Sequence, residues 1–184
     1  MKYDFDNLLN ILYSPSNYTH DSYFSDFTVS RDILGDTLVN YWLIEYYKLE
    51  DLPKDWAPNG IVISLLLNHW QILSAAAHFA GGYLMRDQLM KHAATLATDS
   101  RLLSFISLPI LYQANIENEF SDTHFTTIEN GAAFIMSIAS TLPRALQQRL
   151  ALCFAHNMNK PPCVANPTPD NLNLLKMSII YASN

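Results

Sequence analysis

From Trp56 to Met85 the chain runs thirty residues without an aspartate, glutamate, lysine or arginine. A run of that length can cross a bilayer, which takes roughly 20 apolar residues. It can equally form the buried helix at the centre of an all-helical domain. The interior of the run favours the second reading. Asn68, His69 and Gln71 stand at its midpoint, where polar groups are hardest to satisfy in hydrocarbon. Its tail is alanine and serine rather than leucine and isoleucine. Asp51, Lys54 and Asp55 flank one side and Arg86, Asp87 and Lys91 the other, so no basic bias marks a cytoplasmic end. The expectation is a helix over Ile61–Ala80, following Pro58-Asn59-Gly60 and wrapped by neighbouring helices in water.

The rest of the composition agrees with an all-α fold. Leucine occurs 26 times and alanine 17 times against four valines, so helix formers outweigh β-branched residues. A length of 184 residues suits one compact multi-helix domain of about eight helices. Its main body would span 1–159, with a proline-rich linker over 160–169 and a last amphipathic helix over 170–184. The formal charge is −6 and no basic run occurs, which argues against a nucleic-acid surface. Cys153 and Cys163 lack metal-type spacing and read as two reduced thiols. The amino terminus shows no secretory signal, so the expected compartment is the cytoplasm.

Along the chain, Asp4 can cap a helix through Tyr13, ended by Ser14-Pro15-Ser16-Asn17. Tyr18–Phe24 reads as a packed aromatic turn. Ser30 opens a helix through about Tyr47, within which Glu45 is out of place: it could pair with Lys48 or sit at a protein interface. Gly81-Gly82 should stop or kink the central helix, because helical glycine is unfavourable by about 1 kcal/mol relative to alanine. The pattern resumes over Tyr83–Leu96. Asp99 can cap a segment over Leu102–Leu108, and Thr126-x-x-Glu129 forms a capping box before Ala132. Pro143 kinks that helix or opens the next, which runs to about His156. Asp170 starts the last helix, with Leu172, Leu175, Ile179 and Ile180 as its stripe.

Catalytic signatures are missing from the sequence: no Gly-x-Ser-x-Gly, no His-Glu-x-x-His, no phosphate loop. His69 and His78 lie nine residues apart, on opposite sides of a helix at about 100° per residue. Each reads as a core or boundary imidazole. His124 with Glu117, Glu119 and Asp122 is the best metal or acid/base grouping, and a solvated acidic loop explains it better. His20-Asp21-Ser22 supplies triad residue types without triad geometry. No cofactor and no metal are expected. Trp42, Trp70 and Phe79 could line a ligand cavity; as large apolar volume they fit the core.

Two blocks carry a family likeness. One is Trp70-x-x-Leu73-x-x-Ala76-Ala77-x-x-x-Gly81-Gly82-x-x-x-Arg86-x-x-Leu89. The other is Pro15-x-x-Tyr18-x-His20-x-Ser22-Tyr23-Phe24. Together with their spacing they resemble the SctK family, accessory proteins of type III secretion systems, over about residues 8–112. The chain departs from the family pattern at His20-Asp21-Ser22, where His-Pro-Ser is frequent, and at Leu73-Ser74, where Leu-Pro is. The resemblance implies a non-enzymatic cytoplasmic adaptor. Its partners would be the cytoplasmic domain of the inner-membrane ring protein and the pod protein of the sorting platform. It would be held at the inner membrane through them rather than inserted.

Under that reading the expected partner contacts are Tyr18, Tyr23 and Phe24, the acidic Glu117, Glu119 and Asp122, and Leu172, Leu175 and Ile179. Trp42, Trp70, Leu73, Phe79, Gly81, Gly82 and Arg86 are expected to build the core. Tyr18, Tyr23 and Phe24 could instead seal it. The alternative function is a helical ligand-binding or regulatory module with an aromatic-lined cavity.

Overall fold

Helix formers dominate the sequence and helices dominate the structure, a computed structural model that describes residues 5–25, 35–91, 99–116, 126–156, 158 and 163–184. The described helices are α1 (Phe5–Tyr13), α2 (Asp36–Tyr46), α3 (Ile61–Asn68), α4 (Leu73–Leu84), α5 (Arg86–Lys91), α6 (Ser100–Ile106), α7 (Thr127–Ile138), α8 (Arg144–Leu152) and α9 (Pro169–Ser183). Strands β1 (Ala114–Ile116) and β2 (Cys163–Ala165) pair antiparallel, with Asn115 opposite Val164. The all-α expectation holds, with this one short ribbon added. Backbone contacts divide the chain into two compact units. The first comprises 1–71 and 139–158, the second 72–138 and 159–184.

In the first unit, α1 packs on α2, α3 and α8. Its buried residues Leu8, Ile11 and Leu12 recur at helical spacing. Pro15–Asn17 and Asp21–Phe24 form the short 3-10 turns that follow, so the segment expected as a packed turn is one. Gly60, at φ 105°, sets the chain direction into α3; a side chain would be strained there.

The continuous helix expected over Ile61–Ala80 is not formed. Helix α3 ends at Asn68, His69 takes φ −125°, and a 3-10 turn over Trp70–Ile72 precedes α4. Asn68 and His69 are weak helix formers, and Trp70 gains more from burial than the helix gains from continuity. Its side chain is 1% exposed, edge-on to Tyr18 at 5.9 Å. Among the described residues no single helix is long and apolar enough to cross a membrane; Ile61–Asn68 and Trp70–Leu84 pass that test only as a bent pair.

The second unit is organised by α4, which packs against α7, α9 and α6. Gly81 and Gly82 neither stop nor kink it, contrary to expectation. They lie inside the helix, fully buried. A β-carbon on Gly81 would fall 1.7 Å from the Thr127 carbonyl oxygen, and one on Gly131 would fall 1.8 Å from the Ala77 carbonyl oxygen. The two backbones therefore touch, Ala77 and Gly81 of α4 against Thr127 and Gly131 of α7. Small residues four apart on both helices permit this approach. Its packing offsets the glycine penalty that the sequence rule counts.

The local start signals hold. Thr126 Oγ1 accepts from the Glu129 N–H at 3.2 Å while Glu129 Oε2 accepts from the Thr126 N–H at 2.6 Å. Pro143 opens α8 from its N-cap position. Helix α9 starts at Pro169, one residue before Asp170, with Thr168 as cap. The Ser30 start, the Asp4 cap and the 92–96 continuation lie outside the described residues. The segment expected as an extended linker carries β2, whose Ala165 N–H donates to Ser137 Oγ of α7 at 2.8 Å.

Candidate partner-binding surfaces

The aromatic turn is built by stacking between chain segments far apart in sequence. Tyr23 is buried; its ring meets Tyr47 at 5.2 Å and His156 at 4.6 Å. Tyr47 Oη donates to the Tyr23 carbonyl at 2.7 Å, and Tyr23 Oη donates to the Ala151 carbonyl at 3.2 Å. Burial pushes the Tyr23 phenol up to about 12 and raises that of Tyr18 further, since neither site can solvate a phenolate. Tyr18, half-buried, donates to the Ile11 carbonyl at 2.6 Å. Of the three residues expected here as contacts, Tyr23 is spent on the core and Tyr18 largely so. Phe24 is half-buried and stacks on Trp42 at 6.4 Å.

Trp42, expected in the core, is only half-buried. It stacks on Tyr46 at 4.8 Å and belongs to the outward side of α2. That helix has two faces. Val39, Asn40 and Leu43 point in, while Leu38, Tyr41 and Tyr46 are 56%, 64% and 52% exposed. Glu45 is exposed among them. Lys48 takes the left-handed conformation, φ 47°, beyond the helix end, and among the described residues no ion pair joins it to Glu45.

The stripe of α9 points mostly inward. Leu175 and Ile179 are 0% and 2% exposed, on a helix that packs against α4. These two side chains therefore serve the core of their own unit; Leu172 is half-buried, and Asn173, Lys176 and Ile180 form the open face. The acidic Glu117, Glu119 and Asp122, with His124, lie outside the described residues.

Of the expected core, Trp70, Leu73, Phe79, Gly81 and Gly82 are buried. The Arg86 side chain is 39% exposed and instead braces Tyr83, donating to its hydroxyl at 2.9 Å. That hydroxyl lies 2.7 and 2.8 Å from the carbonyls of Leu108 and Ile110 and accepts from the Ile110 N–H. Tyr83→Phe strips these partners together. A loss of about 2 kcal/mol is expected in urea unfolding followed by circular dichroism.

Sequence reasoning missed a bridge centred on His78. Nδ1 lies 2.7 Å from Thr127 Oγ1 and Nε2 lies 2.9 Å from Asp99 Oδ2. An ionised Asp99 only accepts, so Nε2 carries a proton and donates to it, while Nδ1 pairs with the Thr127 hydroxyl, which can either donate or accept. The trio has the residue types of a nucleophile relay, yet each end is occupied in starting a helix. Asp99 Oδ1 accepts from the Leu102 N–H at 2.9 Å, capping α6, and Thr127 is the first residue of α7. No sequence signal could have joined residues 21 and 49 positions apart.

The Leu102 N–H, then His78, hold the Asp99 carboxyl below its ordinary value of 3.8. A depressed carboxyl pKa stabilises the fold above the unfolded value and loses that effect as pH falls through the folded one. Asp99→Ala should therefore cost about 1 kcal/mol at neutral pH. Urea midpoints of wild type and variant should converge as the pH drops below the ordinary carboxylate range.

His20 Nδ1 and Ser22 Oγ are 2.9 Å apart, but this is a turn cap. The Ser22 N–H donates to the same nitrogen, and Ser22 Oγ accepts from the His156 N–H at 2.8 Å. Both cysteines are free. Burial raises both thiols, that of Cys163 to about 11 and that of Cys153 further.

The family model of the bacterial type III secretion apparatus protein OrgA_MxiK matches residues 8–184. The chain belongs to this family. The match extends well past the 8–112 stretch that carries the sequence likeness to SctK proteins, and includes α7, α8 and α9. No curated protein and no solved structure matches the chain. Membership places it in the secretion apparatus, with protein partners within that machinery.

Proposed function

We propose that the protein is a non-enzymatic adaptor linking the cytoplasmic domain of the inner-membrane ring protein to the pod protein of the sorting platform. The carrying observation is family membership over nearly the whole chain. The division into two compact units supports the reading, since an adaptor needs a surface for each of two partners. The protein would work at the cytoplasmic face of the inner membrane, held there by its partners.

The test in cells is the position of a fluorescent pod protein. Deleting this chain should disperse its envelope foci while ring assembly persists, and restoring the chain should return them. Foci that persist without it would refute the adaptor role.

A further inference from the structure

The exposed side of α2 is apolar where a solvent-facing helix is ordinarily polar. Leu38, Tyr41, Trp42, Glu45 and Tyr46 fall at i, i+3, i+4, i+7 and i+8, which at about 100° per residue is one face. Val39 and Leu43 lie on the adjoining, buried side. Tyr41 is 64% exposed and Leu38 56%. Tyrosine and tryptophan on a rigid element are the residue types that anchor protein interfaces. Stacking of Tyr46 on Trp42 fixes part of this ridge in advance, so less side-chain freedom is lost on docking.

The charge on the ridge says what it fits. Glu45 stands between Tyr41, Trp42 and Tyr46, and among the described residues no cation pairs with it. An apolar partner brought over Glu45 would bury an uncompensated carboxylate, which is strongly unfavourable. A second copy would bring two chains of charge −6 together, with no cation on either ridge.

We propose that the α2 ridge docks an amphipathic helix of another protein. That helix sets apolar side chains against Leu38 and Tyr41 and a lysine or arginine against Glu45. The proposal rests on the adaptor reading in making one of the two partner surfaces this ridge.

The test places the photocrosslinking amino acid p-benzoylphenylalanine at position 41 of the full chain in secreting bacteria and sequences the crosslinked peptide. The expected adduct is a segment of another protein with apolar residues at i, i+3 or i+4 and i+7 and a basic residue beside them. Glu45→Lys should reduce that adduct at least tenfold, and reversing the partner's basic residue to glutamate should restore it. An adduct to a second copy, to this chain's own 26–34 segment, to a peptide without a basic residue, or no adduct at all overturns the proposal.

A parallel measurement uses the purified ring-protein domain and the pod protein against the full chain carrying Leu38→Ala and Tyr41→Ala. The expected result is at least tenfold weaker binding to one of them, with the thermal transition unchanged. Unchanged affinity for both would leave the adaptor reading intact and remove the ridge. A basic amphipathic adduct from some third protein would overturn the assignment of the ridge to one of the adaptor's two partners.

Discussion

Gly131→Ala should destabilise the protein by about 3 kcal/mol, seen as a large fall in the thermal midpoint of the circular dichroism signal. Its β-carbon would fall 1.8 Å from the Ala77 carbonyl oxygen and 2.8 Å from the Ala77 α-carbon. Backbone stands in the way, so no rotamer change can relieve the overlap; α4 and α7 must separate. Separation loosens the packing around Ala76, Ala77, Ala80 and Phe134, all buried. Gly81→Ala should behave alike, since its β-carbon would meet the Thr127 oxygen and the Gly131 nitrogen. Gly82→Ala supplies the contrast. Its added methyl meets Leu102 Cδ1 at 2.4 Å, the end of a flexible side chain, and a loss of about 1 kcal/mol is expected. Equal losses at Gly81 and Gly82 would mean that the helices are not in backbone contact.

Arg149→Met should be the most damaging single change in the first unit, lowering stability by about 3–5 kcal/mol. The side chain is 0% exposed, and among the described residues no carboxylate pairs with it. Its guanidinium is neutralised by backbone instead. Nε and Nη2 donate to the Leu12 carbonyl at 3.1 and 3.0 Å, and Nη1 donates to those of Glu50 and Ala145 at 2.7 and 3.0 Å. One residue thus closes the carboxyl end of α1, ties the chain beyond α2 to α8, and satisfies the buried Leu12 carbonyl. Burial lowers the Arg149 pKa, though not enough to discharge a guanidinium at neutral pH. Methionine fills the volume but leaves the Leu12 and Glu50 carbonyls without this partner, each worth about 1–3 kcal/mol. Lysine lacks the fork that reaches three carbonyls, so Arg149→Lys should recover little. All three tryptophans, Trp42, Trp56 and Trp70, belong to the first unit. Indole fluorescence in urea therefore reports this loss directly, and a wild-type midpoint in Arg149→Met would contradict the assignment.

Legibility in the sequence followed the range of the interaction. The Thr126–Glu129 box, the Asp99 cap and the 3-10 turns of Pro15–Asn17 and Asp21–Phe24 each involve residues close in the chain, and each is formed. Gly81-Gly82 was visible as a helix breaker; only the backbone of α7, 50 residues further on at Gly131, makes it a close helix contact instead. The break at His69 was hidden for a similar reason. Weak helix formers stood in plain sight at Asn68 and His69, but what tips the balance is burial of Trp70 beside Tyr18, 52 residues earlier. Arg149 showed no sign of its burial, because its acceptors are carbonyls that sequence patterns do not record. The α9 stripe was expected to face a partner, whereas Leu175 and Ile179 are buried within their own unit. On the functional side, Glu45 was the one informative oddity. The structure places it on an exposed aromatic face where, among the described residues, no cation pairs with it, which favours the interface over the Lys48 pair.

The adaptor account is tested most directly by light scattering coupled to size exclusion on three purified proteins: this chain, the ring-protein cytoplasmic domain and the pod protein. The account predicts one co-eluting species containing all three, and no association of ring domain with pod protein when this chain is left out. Direct association of those two without it, or a mixture in which this chain binds only one of them, would contradict it.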